Sequence, residues 1–107
     1  MNDVVFSELL VPSSHPALAG HFPGKPVVPA VVLLDAVLAQ IASREDFVLR
    51  TILAAKFLRP VMPDELLQLS ISFTALDEAQ TRVSFQGMRD TALVLEGSFI
   101  VSAGAKP

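Results

Sequence analysis

The chain has 107 residues, a formal net charge of −3 and a hydrophobic content of 51%, with no cysteine, tryptophan or tyrosine. That length holds one core and hence one domain, 1–107, and the missing cysteines exclude a disulfide framework, thiolate chemistry and a cysteine-based zinc site. An acidic balance without any Lys/Arg cluster, and without Tyr or Trp to stack bases, excludes a nucleic-acid binder and points to a small or apolar partner.

The opening stretch, MNDVVFSELLVP, has no basic n-region and carries Asp3 and Glu8 where a signal peptide would be apolar. Its second part, Val4 to Val11, reads as a first strand ended by Pro12. Residues 13–29 contain Pro16, Pro23, Pro26 and Pro29, which remove backbone donors and fix φ, so regular structure is not expected there. A long irregular segment inside a small domain points to function.

From Pro29 the pattern becomes PAVVLLDAVLAQIAS, apolar almost all round. A proline in the first turn and the length of the run predict a helix buried on most faces, closed by the polar SRED. The apolar stretch is interrupted by Asp35, so no clean membrane-spanning run exists, and a cytoplasmic protein is the default expectation. The second half changes period. Leu67, Leu69, Ile71 and Phe73 alternate with polar residues, as do Val83 and Phe85, predicting half-buried antiparallel strands. TALVLEGSFIVS supplies another strand, and TILAAKFLRPV a further one closed by Pro60 and Pro63. The breaks at Leu76–Ala79 and Met88–Asp90 suit hairpin turns. The predicted order is strand, proline-rich loop, buried helix, four strands: an α+β layer architecture with about five strands. A sheet wrapping the helix, plus a partner subunit, would cover it.

Three groups in GHFPGKPVVPAVVLLD could carry chemistry. Asp35 either faces a wet stripe of the helix or sits in an apolar pocket, where desolvation would suit a carboxyl to general acid work. His21, framed by Gly20 and FPGKP, is either a structural loop residue or a base; His15 has no comparable frame and reads as structural. If Pro29 stands near the first helical position, the Ala30 N–H is left unpaired at the positive end of the helix dipole, where an oxyanion could form. No phosphate loop, nucleophile elbow or metal-spaced cluster is present, and Ser13 and Ser14 beside His15 make a poor case for a serine nucleophile.

This same segment resembles the signature of the 3-hydroxyacyl-[acyl-carrier-protein] dehydratases, in which H-F-P-G-x-P-x-x-P-G runs into a helix bearing Glu or Asp. KFLRPVMPDELL is similar to that family's K-F-x-R-P-V-x-P-G-D-x-L strand. Together with the element order the resemblance covers nearly the whole chain, and it extends to the shorter dehydratase-like proteins found beside polyketide-type and aryl-polyene pathways. It implies a hotdog fold, one long helix wrapped by a curved antiparallel sheet. It implies catalytic roles for His21 and Asp35, substrate contacts at Phe22, Gly24, Ala30 and Val31, and no metal or cofactor. The partners implied are an acyl-carrier-protein or CoA thioester and a second copy of the chain, the site being shared across a homodimer. Lys25, Lys56 and Arg59 are candidates for a basic rim that an acidic carrier would dock on.

Three departures accompany it. Ala30 replaces the family glycine, the family glutamine would fall at Ala39 with Gln40 one place on, and MPDE lacks the turn glycine. The alternatives are a hotdog acyl-thioester hydrolase, and a non-catalytic acyl-binding subunit of the dehydratase type.

Overall fold

Strict two-residue alternation in the second half of the chain becomes a sheet with one greasy and one wet face. The computed structural model describes residues 2–18, 27–43 and 46–104. They form β1 (Asn2–Leu9), a single 3-10 turn (Pro16–Leu18), α1 (Ala30–Ala42), β2 (Phe47–Phe57), β3 (Leu67–Ala75), β4 (Gln80–Arg89) and β5 (Ala92–Ala103). The five strands make one antiparallel sheet in the order β1-β3-β4-β5-β2. β4 is therefore central, and β1 and β2 are the two edges.

The register explains the core. Ile71 faces Phe85 and Phe73 faces Val83 across β3 and β4, and Val83 in turn faces Phe99 of β5. These side chains lie on one side of the pleat with Leu67, Leu69, Leu95 and Val101, and the buried helix residues Val32, Leu33, Val37 and Ile41 complete the same apolar cluster. Each such side chain removed from water contributes roughly 1.5–3 kcal/mol, so the helix is held by its buried stripe more than by its own propensity. Phe85 and Phe99 meet with ring centroids 5.8 Å apart and planes tilted by 42°. Gly97 makes room for this. A Cβ there would stand 2.5 Å from the Ala54 carbonyl oxygen and 2.7 Å from the Phe85 ring.

The observed boundaries differ from the predicted ones where the partner strand sets the length of the ladder. β1 begins at Asn2 and ends at Leu9, not Val11, because the ladder to β3 runs from Asn2 opposite Thr74 to Leu9 opposite Leu67. β2 starts at Phe47 and stops at Phe57, earlier at both ends than TILAAKFLRPV suggests. Phe47, Val48 and Leu49 find partners in the long β5, at Ala103, Ser102 and Val101. The helix is also less enclosed than an all-round apolar pattern predicts, since Ala30, Val31, Asp35, Ala39 and Ala42 are exposed. Pro16 opens the 3-10 turn within the segment expected to be irregular.

The hairpins fall where expected. At the first, Leu76 N–H donates to the Gln80 carbonyl and the Asp77 carboxylate accepts from the N–H groups of Ala79 and Gln80. At the second, Asp90 takes φ 54°, a left-handed turn conformation that Asp tolerates. The missing glycine of MPDE has a related explanation: Asp64 itself adopts φ 67°. Its N–H donates to the Val11 carbonyl at 2.8 Å and its carboxylate accepts the Ser13 N–H at 3.0 Å. Asp64→Ala should therefore destabilise the fold by about 1–2 kcal/mol, through left-handed strain and the lost bond, whereas Asp64→Gly should cost clearly less. Urea unfolding of the two variants measures the difference, and equal losses would show that the left-handed conformation is unimportant.

Candidate active site

The helix start is set by Pro29 and by two backbone bonds to its carbonyl. Pro29 has φ −60° and ψ 147° and makes no side-chain cap. Its carbonyl accepts from the N–H of Val32 at 3.0 Å and of Leu33 at 3.2 Å. Among the described residues the N–H groups of Ala30 and Val31 have no such partner, and both residues are exposed. These are orphan donors at the positive end of the α1 dipole. Ala30 borders a cavity of about 290 Å³ whose wall includes Val28, Leu33, Phe57, Arg59 and Val61. An apolar hollow with a free donor at one end can hold an acyl carbonyl and stabilise negative charge on its oxygen.

Asp35 lies roughly 7–8 Å further along the helix axis. It belongs to an exposed stripe with Val31 and Ala39, spaced by four residues, while Val32, Leu33, Val37 and Ile41 turn to the sheet. Within one chain it thus occupies the wet stripe, and no hydrogen bond or ion pair holds its carboxylate among the described residues. The apolar pocket expected around it is not formed within one chain, and apolar side chains of α1 and of the edge strand stand uncovered. Val31 is 66% exposed, and the edge strand β2 leaves Leu49, Ile52, Leu53 and Phe57 between 37% and 48% exposed.

His21, Phe22 and Gly24 lie outside the described residues, as does Lys25. The two remaining candidates for a basic rim are separated by the sheet. Arg59 borders the cavity at the helix start. Lys56 stands opposite Glu96 on the face turned away from the helix, over a hollow floored by Ser70, Ser72, Ser84 and Ser98. The strand's two-residue alternation puts Lys56 and Phe57 on opposite sides, so Lys56 does not belong to the cavity. Gln40, one place beyond the family position, donates to the Glu8 carbonyl at 3.0 Å and so ties the end of α1 to β1. His15 sits in the turn before the 3-10 segment, its N–H donating to the Pro12 carbonyl.

Sequence reasoning missed Arg89 and Glu65. Their side chains pair at 3.0 Å beside the stretch that walls the cavity. Glu65 was visible as part of the second motif; Arg89, distant in sequence and in an ordinary strand pattern, carried no signal. Among the described residues no group of His and acidic side chains could hold a metal, and no helix is long and apolar enough to cross a membrane.

One helix against a five-stranded antiparallel sheet in the order β1-β3-β4-β5-β2 defines a hotdog-fold protein. The ApeI-like family model, described as ApeI dehydratase, matches residues 2–98, and the chain belongs to that family. It is 32% identical over 100 residues to the 3-hydroxyacyl-[acyl-carrier-protein] dehydratase FabZ of Myxococcus xanthus, an alignment covering 83% of this chain and 65% of that protein. FabZ of Chlamydia trachomatis serovar L2 is 31% identical over 111 residues, covering 91% of this chain and 72% of its own length. The chain thus spans about two thirds of these longer relatives. Among solved structures, the dehydratase heterocomplex ApeI:P from Xenorhabdus doucetiae superposes with a TM-score of 0.78 at 19% identity, over 95% of this chain and 94% of that one. A hexameric acyl-CoA thioesterase superposes with a TM-score of 0.68 at 17% identity, over 96% and 70%. Those two likenesses establish the hotdog fold.

Because Asp35 is exposed and has no partner among the described residues, Asp35→Asn should change the unfolding free energy of the monomer by less than about 0.5 kcal/mol. Urea denaturation checks this, and a larger change would reveal a structural role for the carboxylate.

Proposed function

We propose that this protein dehydrates a 3-hydroxyacyl thioester, carried by an acyl carrier protein, to the trans-2-enoyl thioester. Family membership and the dehydratases named above support the reaction class. The observation that carries the mechanism is the Ala30 N–H at the cavity border, which has no hydrogen-bond partner among the described residues. The Ala30 N–H donates to the thioester oxygen as it gains charge. The imidazole of His21 removes the C2 proton, which the neighbouring thioester acidifies. Asp35, protonated, delivers a proton to the departing 3-hydroxyl. Base, donor and acid each meet a different developing charge, so their contributions multiply. Replacing the family glycine by Ala30 keeps the donor, since only the side chain changes.

The site is shared between two copies of the chain. β2 is an eleven-residue edge strand, exposed along nearly all its length, and its Leu49, Ile52, Leu53 and Phe57 side chains are uncovered, as is Val31 of α1. A long apolar edge of this kind pairs with another strand or aggregates. Joining β2 to β2 would cover both apolar surfaces and bring the Asp35 of one copy from water into an apolar, shared cleft. Arg59 at the cavity border supplies positive charge toward an acidic carrier.

Light scattering on the purified protein should give about 23 kDa, twice the 11.5 kDa chain, and Ile52→Lys should reduce it to the monomer. A stable wild-type monomer would remove the shared site. With a 3-hydroxyacyl-carrier substrate followed by mass spectrometry, His21→Ala and Asp35→Asn should each lower the rate of water loss by roughly 100- to 10,000-fold. Full activity in either variant would refute the assigned role. Release of free acid would instead identify a hydrolase, and binding without turnover an acyl-binding subunit.

A further inference from the structure

The stretch between β2 and β3, residues 58–66, contains none of the groups assigned a step in the reaction, yet it is fastened on three sides. Toward the helix, the Val61 carbonyl accepts the Val28 N–H at 2.7 Å. Toward the end of β1, Asp64 bonds Val11 and Ser13 through its N–H and its carboxylate. Toward β4, the Nη1 of Arg89 donates to the Pro60 carbonyl at 3.2 Å and to both Glu65 oxygens, at 3.0 and 3.1 Å. Glu65 in turn accepts the Met62 N–H at 2.7 Å, which closes the loop on itself. The Arg89 and Glu65 side chains are 33% and 28% exposed, so the pair is largely withdrawn from water and less open to salt screening than a surface pair.

Neither residue touches Ala30, but both govern what does. Arg59, Pro60 and Val61 form one wall of the cavity on which Ala30 opens. Val61 also anchors Val28, a buried residue two places before the first helical N–H. The link from Val28 to Ala30 is stiff. Pro29 locks its own φ, and a residue before proline is confined to extended backbone. A shift at Val61 therefore passes to the helix start instead of being absorbed by free torsions.

We propose that Arg89 and Glu65 are positioning residues: their ion pair fixes the cavity wall and, through the Val61–Val28 bond, the place of the Ala30 donor. Its catalytic consequence rests on the dehydratase reading; its structural content does not. A donor displaced by about 1 Å from the position of the developing oxyanion can cost up to about 100-fold in rate. The loss belongs to kcat, because the charge being stabilised exists in the transition state and not in the bound substrate.

The test compares Arg89→Met and Arg89→Lys in the full chain. All three contacts of Arg89 run through one nitrogen, so a lysine ammonium can reproduce them while methionine cannot. Arg89→Met should lower kcat roughly 10- to 100-fold with KM within about twofold, and Arg89→Lys should recover most of that loss. Amide hydrogen exchange gives a second reading without substrate. The Val28 N–H should exchange at least roughly ten times faster in Arg89→Met, and near the wild-type rate in Arg89→Lys. Should Arg89→Met fail to fold, Glu65→Gln, which keeps an acceptor for Met62 but loses the charge, should shift both readouts the same way. Unchanged kcat in a folded variant overturns the proposal, as does a loss confined to KM or unaltered Val28 exchange. If the wild type does not dehydrate its substrate, the functional reading fails, and Val28 exchange still decides whether the pair holds the helix start.

Discussion

The structure depends on one contact: the apolar stripe Val32, Leu33, Val37 and Ile41 seated on the inner face of β3, β4 and β5. No sheet of this size can leave Leu69, Ile71, Val83 and Phe99 in water, and α1 is the element that covers them. Seating that stripe decides everything the helix does not bury. Val31, Asp35 and Ala39 are left outward by elimination, and the N-terminal end comes to rest over the cavity beside Phe57 and Val61. The stability of the core and the geometry of the site are thus set by the same rotation of one helix about its axis.

A second constraint comes from the irregular residues. The 58–66 stretch lies outside the strands, so its backbone groups find other partners: the Leu58 N–H donates to the Val94 carbonyl and the Asp64 N–H to that of Val11, while the Pro60 and Val61 carbonyls accept from Arg89 and Val28. That accounting turns a connection into a hub that joins the end of β1, the start of α1 and the end of β4. Asp64 shows how the family pattern can change while its geometry persists. The left-handed position remains, and an aspartate fills it by adding a hydrogen bond to Ser13.

Much of this was legible in the residues. The alternation of Leu67 to Phe73 and around Val83 and Phe85 announced the strands, because a half-buried pleat admits no other pattern. Pro29 announced the helix start, and it stands as the extended N-cap immediately before Ala30. The limits of β1 and β2 were less legible: pairing with β3 and β5 recruits residues whose own character is neutral, such as Asn2 and Phe47. The burial of α1 was overestimated for a related reason. Small alanines and a valine look like core, yet in a single chain a helix has one sheet to lie on, and Val31 and Ala39 face away from it.

The site divides in the same way. Local chemistry and the two motifs were enough to single out Asp35, Ala30 and Arg59, because helix polarity and residue type are properties of a few neighbouring residues. Placing Lys56 on the far side of the sheet from Arg59, and bringing Arg89 to Glu65 and Pro60, needed the strand register. Register is a long-range property, fixed when strands distant in sequence pair so that their apolar faces coincide. The sequence by itself determined which elements form, the family, and the chemical groups on offer. The tertiary structure decided which of those groups share a cavity, because only the packing of α1 on the sheet selects which faces meet.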